Sequence, residues 1–189
     1  MFADVKKKIR TKAVIMAVLM LIMAAMSLFF GIMRTGATGV GRKGMIFTLV
    51  MVSVFLIIGL VNTLSFALGY KKMMSCLGDP TDDEMDVMLS EAEPVDTRDV
   101  PLIYVAGERI LNFDTLRAYD MHNIRRIAKN WYTRTDNDNG TSSSSYTVDI
   151  KLDGSQRKDT MSFSWSSDCD HAYQVVTEAC RRLGVNYTD

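Results

Sequence analysis

The chain has 189 residues, with 22 basic side chains against 22 acidic ones, and 48% of its residues are hydrophobic. No basic face sufficient for nucleic-acid binding stands out, because from Val100 onward 11 basic residues meet 12 acidic ones. Three cysteines, Cys76, Cys169 and Cys180, are odd in number and form no CxxC pair, so neither a disulfide framework nor a zinc site is indicated and a reducing compartment fits.

In chain order, residues 1–12 are a basic amino-terminal segment, carrying Lys6, Lys7, Lys8, Arg10 and Lys12 against Asp4 alone. Residues 13–33, "AVIMAVLMLIMAAMSLFFGIM", hold no ionisable group, and 21 residues rising about 1.5 Å each suffice to cross a hydrocarbon core of roughly 30 Å. Residues 34–44 form a glycine-rich connector, and residues 45–70 contain a second uncharged run of spanning length. A helical hairpin is predicted. Near the runs, seven Lys and Arg on the terminal sides (the five above with Lys71 and Lys72) oppose Arg34, Arg42 and Lys43 in the connector. That bias places both termini in the cytoplasm and the connector outside, at the cell (inner) membrane. On this reading Lys6, Lys7, Lys8, Arg10, Lys12, Lys71 and Lys72 anchor the helices at the lipid headgroups.

With no Asp, Glu, Lys, Arg or His inside either run, the groups that usually build ion or proton pathways are missing. Ser27-x-x-x-Gly31 and Ser65-x-x-x-Gly69 suit close helix packing, and Asn62 suits a hydrogen bond between helices. Met16, Met20, Met23 and Met26 read as apolar bulk rather than a copper site, since no Cys or His accompanies them in the runs.

Residues 71–99 are an acidic linker: from Asp79 to Asp99 nine acids face Arg98 alone. Within it, Thr81-x-x-Glu84 is a capping-box signature, followed by Met85, Met88, Leu89 and Ala92 at helical spacing before Pro94. A short amphipathic helix is expected, with the acids repelled from an anionic surface so that the linker acts as a spacer.

From residue 100 the period becomes two. "VPLIYVAGERILNF" predicts two strands about a turn at Ala106-Gly107-Glu108, and "LRAYDMHNIRRIAKNWYTR" predicts two more. "DNDNGTSSSS", Asp136 to Ser145, reads as a polar loop; it fails the calcium-loop spacing because Gly140 comes one place early and the closing Glu is missing. Val148, Ile150 and Leu152 then alternate, Asp153-Gly154 turns, and Met161, Phe163 and Trp165 alternate back. The total is five to seven antiparallel strands. A closing helix is predicted in "SSDCDHAYQVVTEACRRLG", with Ser167 as its cap and Ala172, Val175, Val176, Ala179, Cys180 and Leu183 as its buried stripe. The predicted fold class is therefore α+β.

This order of elements resembles the pleckstrin-homology-like domains of bacterial membrane proteins, and the whole chain is similar to Firmicute-type members in which two spans precede that domain. The resemblance implies a pleckstrin-homology-like cytoplasmic domain over residues 100–189. Lipid-binding members of the superfamily carry several cations around the first hairpin loop, whereas "VAGER" has only Arg109, so phosphoinositide binding is not expected.

Chemistry has few candidates. His122 and His171 are the only histidines, and Cys169 and His171, two apart on a helix, point in different directions and share no ligand or proton. Cys169 at a helix start invites a lowered pKa and oxidation, with no resolving cysteine near it in the helix. Arg125, Arg126 and Lys129 with Trp131 form a basic-aromatic cluster, the one candidate interaction surface. No catalytic group, cofactor or metal is expected. The leading expectation is a membrane-anchored, non-catalytic binding or scaffold module, its partners being the bilayer, a protein or a second copy of itself. The alternative is an accessory subunit of a transporter or envelope-assembly complex that acts through the hairpin. Two N-x-T sequons, at Asn139 and Asn186, carry weight only if the tail enters a secretory lumen.

Overall fold

The computed structural model describes residues 1–38, 42–135, 142–155 and 158–188. The elements are α1 (Phe2–Thr38), α2 (Arg42–Cys76), α3 (Asp82–Ser90), β1 (Glu93–Pro94), β2 (Ile103–Ala106), β3 (Arg109–Asn112), β4 (Arg117–Asp120), a 3-10 turn (Met121–Asn123), β5 (Ile124–Thr135), β6 (Ser142–Leu152), β7 (Lys158–Phe163) and α4 (Ser166–Arg182). They divide into two compact units: Lys6–Lys72, and Met1–Val5 together with Met73–Asp189.

In the first unit α1 and α2 pack as antiparallel helices, and glycine sets their approach. Gly31 lies against Thr48 so closely that a Cβ would collide with it, and eleven residues further from the turn on both helices Gly59 faces Met20, where an added Cβ would lie 3.2 Å from the Met20 Cβ. The two contacts are eleven residues apart on each helix, so the pairing does not slip between them. Gly31 belongs to an expected small-residue pair; Gly59 was not singled out in the sequence, and Asn62 is exposed. Thr48, Ser53 and Thr63 return their hydroxyls to carbonyls four residues back, which satisfies these groups within the helix. Large apolar side chains stand exposed around both helices, Phe29, Phe47 and Leu68 among them. Both are long and apolar enough to cross a membrane.

In the second unit the strands form two antiparallel sheets, β1-β2-β3-β4 and β5-β6-β7. Gly107, at φ 57°, makes the tight β2–β3 turn possible, and Gly154, at φ 67°, does the same between β6 and β7. Ile103, Val105 and Ile110 of the first sheet join Ile127, Val148, Ile150 and Met161 of the second and Ala172, Val175, Val176 and Cys180 of α4 in one core. The alternating positions of β2 and β3 are buried as well. Leu102, Tyr104, Leu111 and the adjoining Phe113 lie outside that core yet are covered, and Phe2, Val5, Met73, Met85 and Leu89 are buried outside it too. Phe2 packs tilted against Phe113 at 6.2 Å between ring centroids, Phe113 meets Tyr104 edge-to-face at 6.2 Å, and α3 packs on β2. The first sheet is thus covered on both faces, with the start of α1, the end of α2 and α3 contributing to a second apolar layer.

Asp86 on α3 secures this layer. Its carboxylate accepts the Phe2 N–H at 2.6 Å and lies 3.0 Å from the Met1 ammonium; these contacts, the backbone one first, hold its pKa below the usual aspartate value. Tyr104 is fully buried with no hydrogen-bond partner for its hydroxyl among the described residues, and burial pushes its pKa up to about 12. Asp96, also buried, organises the following loop by accepting the N–H groups of Leu102 and Ile103 at 2.8 and 3.1 Å and the Arg98 guanidinium at 2.7 Å.

Several expectations are corrected. The basic segment 1–12 is helical from Phe2 as part of α1, with Phe2 and Val5 buried. Lys71 and Lys72 lie inside α2, which runs on to Cys76. Within the acidic linker, Met73, Met85, Leu89, Val95 and Asp96 are buried, and the apolar stripe of α3 meets the domain that follows. The capping box forms, with Thr81 accepting the Glu84 N–H and Glu84 accepting the Thr81 N–H, but α3 ends at Ser90, leaving Ala92 beyond it. Ser142–Ser145 belong to β6 rather than to a loop, since they pair with Tyr132–Thr135; Asp136 to Thr141, including the Asn139 sequon, lie outside the described residues. Trp165, not Ser167, precedes α4: strand backbone (φ −121°, ψ 145°) runs directly into the helix without a side-chain cap, which places Ser167 in the first turn.

Val176 is fully buried on α4 and Gln174 exposed. Val176→Asp should therefore lower stability by several kcal/mol, and Gln174→Asp by less than about 1 kcal/mol; chemical denaturation of the two variants compares them, and equal midpoints would contradict helix-on-sheet packing. Phe2→Ser should expose the Phe113 face at a cost of about 2 kcal/mol, less than a core truncation because the short segment detaches rather than leaving a void. Hydrogen exchange should then rise in β2, β3 and α3 while α4 stays protected.

Candidate interaction surface

β5 and β6 are the longest strands, 12 and 11 residues, and pair from Ile124↔Leu152 to Thr135↔Ser142 with an irregularity between Ile124 and Arg126. Their inner ends carry Ile127, Val148 and Ile150 into the core. Further out the same face continues as Lys129 and Trp131 on β5 and Tyr146 on β6, with Trp131 opposite Tyr146 and Tyr146 opposite Phe163 on β7. β7 leads through Trp165 into α4, whose first turns bring Ser166, Cys169 and Asp170 to this face. Between them lies a groove of about 490 Å³ lined by Lys129, Asn130, Trp131, Tyr146, Ser166, Cys169 and Asp170.

The groove is aromatic and locally neutral. Trp131 is 79% exposed and Trp165 70% exposed, whereas buried hydrophobic side chains fill the face inward of them. Lys129 reaches Asp170 at 2.6 Å, a contact that raises the lysine pKa and ties the hairpin to α4. Burial raises the thiol pKa of Cys169, and that of Cys180 to about 11, so neither is an activated thiolate, in contrast to the expectation for Cys169 at a helix start. His171 is exposed on α4 while Cys169 is buried, and His122 lies on the 3-10 turn, 3.7 Å from Glu108. Among the described residues no three His, Cys, Asp or Glu side chains gather as a metal site.

The expected basic-aromatic cluster is divided by the strand period. Lys129 and Trp131 share the groove face, while Arg126 projects from the opposite face among Ala128, Asn130, Tyr132, Asp149, Lys151 and Lys158. Arg125, beside the irregularity, is held by Asp153 through contacts of 2.9 and 3.2 Å. Of the expected anchors, Lys7, Arg10 and Lys12 on α1 and Lys71 and Lys72 on α2 are exposed, and Lys6 and Lys8 partly so.

Three residues that matter were not anticipated. Tyr146 completes the aromatic row; its position opposite Trp131 follows only from strand register. Asp86 receives the amino-terminal segment. Asp149, 6% exposed on the outer face of the second sheet, accepts Asn130 at 2.8 Å, Lys158 at 2.6 Å and Thr160 at 2.7 Å. The chain matches no protein-family model, no curated protein and no solved structure.

Proposed function

We propose that this protein is a membrane-anchored, non-catalytic binding module: two spanning helices hold a pleckstrin-homology-like domain at the cytoplasmic face of the membrane, and the domain docks a protein partner in the Trp131–Tyr146 groove. The observation that carries the reading is Trp131, 79% exposed and opposite the half-buried Tyr146, where the core face of the β5–β6 hairpin continues beyond Ile127 and Val148. Exposed tryptophan flanked by a groove is the composition of binding hot spots, since it supplies large contact area at little entropic cost. The four-plus-three division of strands and the single closing helix support the pleckstrin-homology-like assignment. Two helices apolar on all sides and not buried within the protein support the membrane anchor. The distribution of lysine and arginine supports the orientation.

The function is tested by photo-crosslinking in the intact, full-length protein. A photoreactive residue at position 131 should yield a discrete adduct with one protein, and the same residue at Glu178, exposed on α4, should not. Adducts at both positions or at neither reject the groove; adducts confined to a probe at Leu60 in α2 would favour the hairpin-acting accessory subunit instead. Orientation is tested separately: in cells, a membrane-impermeant thiol reagent should label a cysteine placed at Thr38 and spare one at Ser143. The reverse pattern overturns the cytoplasmic assignment.

A further inference from the structure

The outer face of the second sheet carries an arrangement that sheet energetics disfavour. Arg126 on β5 stands directly opposite Lys151 on β6, and Lys151 directly opposite Lys158 on β7. Directly opposed side chains have Cβ atoms about 4.5–5.5 Å apart, where like charges repel and destabilise the pair. Among the described residues, the acids on these strands and their β6–β7 turn are already engaged: Asp149 takes Lys158, Asp153 takes Arg125, and Asp159 takes Arg117. Arg126 and Lys151 have no acidic partner among the described residues, so the row keeps an excess of two positive charges, from three cations against Asp149. A row with this charge is relieved by an external anion.

The surroundings fit such a ligand. The row lies in a shallow depression of about 250 Å³ lined by Arg126, Ala128, Asn130, Tyr132, Asp149, Lys151 and Lys158. Small Ala128, in the next register row from Arg126, leaves the floor open beside the cations. Asp149 fixes Lys158 and Asn130 in place, so part of the site is ordered before any ligand arrives. Across three strands the row is about 10 Å long, two inter-strand spacings of about 4.8 Å. One phosphate is shorter than this, and two or three linked phosphates match it. Arginine offers paired N–H donors to phosphate oxygens, and lysine a point charge.

We propose that the outer face of β5–β6–β7 is a binding site for an oligophosphate group, with Arg126 and Lys151 as its principal ligands and Lys158, steered by Asp149, closing one end. The site lies on the opposite side of the sheet from the Trp131 groove and does not depend on it. A free linear oligophosphate and a multiply phosphorylated inositol headgroup share the required chemistry.

The test uses full-length protein in uncharged detergent micelles at low ionic strength, titrated calorimetrically with sodium tripolyphosphate and, separately, with soluble inositol trisphosphate. At least one should bind, and the double variant Arg126→Gln, Lys151→Gln should weaken that binding by at least about tenfold, as expected for two lost charge-assisted contacts. Arg181→Gln, an exposed cation on α4, controls for overall charge and should leave affinity within about twofold. Tighter binding of tripolyphosphate assigns the site to a free oligophosphate, and tighter binding of inositol trisphosphate to a lipid headgroup. Removing the opposed charges should leave the melting temperature of the double variant unchanged or raised, which separates lost binding from lost fold. Binding of neither probe, or equal weakening by Arg181→Gln, overturns the proposal.

Discussion

The short strands β2 and β3 are apolar on both faces, and the rest of the domain is arranged around that constraint. Ile103, Val105 and Ile110 enter the core beneath α4, and Leu102, Tyr104 and Leu111 face the other way. An isolated antiparallel sheet ordinarily gives its second face to water. Here that face is sealed by Met85 and Leu89 of α3, by Met73 at the end of α2, and by Phe2 and Val5 at the start of α1. Fully burying one side chain of this size contributes about 1.5–3 kcal/mol, so five of them are comparable with the net stability of a small domain. The domain therefore does not begin where its strands begin. The chain that enters and leaves the apolar helices is part of its covering layer, and a fragment starting at Asp79 lacks three of the five covering residues.

Much of the domain is legible in the sequence because period-two alternation and an amphipathic helix are strong signals. β6 and β7, the Asp153-Gly154 turn, the α3 capping box and the buried stripe of α4 all follow from local rules that agree with the tertiary fold. The amino-terminal clasp was less visible, since the lysine run dominates residues 1–12. Phe2 and Val5 nonetheless stand three apart, on one face of a helix, and both are buried. The basic-aromatic cluster misled for a physical reason. The four residues are grouped by their nearness in sequence, although the stretch itself reads as strand, and in a strand Arg126 and Lys129, three apart, lie on opposite faces. The period-two rule applied to that strand separates a groove side from an outer side, whereas Tyr146 opposite Trp131 and Lys151 opposite Arg126 require the register.

The β5–β6 hairpin departs from minimal design on both of its faces. On the inner face the apolar pattern continues past Ile127 and Val148, leaving Trp131 in water. On the outer face three cations stand in one row. A domain shaped by stability alone would end the hairpin earlier and alternate the charges. Departures from local rules concentrate where function sets the residue, and here they concentrate on one supersecondary unit.

Asp149 shows how such a unit retains its geometry. A carboxylate that is 6% exposed on a sheet surface is costly unless its oxygens are used, and Asn130, Lys158 and Thr160 use them from both neighbouring strands. The same contacts pin three side chains across the sheet, so the burial of one charge orders the polar face around it. Across the hairpin, Lys129 and Asp170 perform the corresponding task by tying β5 to the first turns of α4 and fixing the groove wall. Each face is thus held by an internal ion pair whose charges largely cancel. Trp131 on one face, and on the other Arg126 with Lys151, which have no acidic partner among the described residues, are presented on that framework.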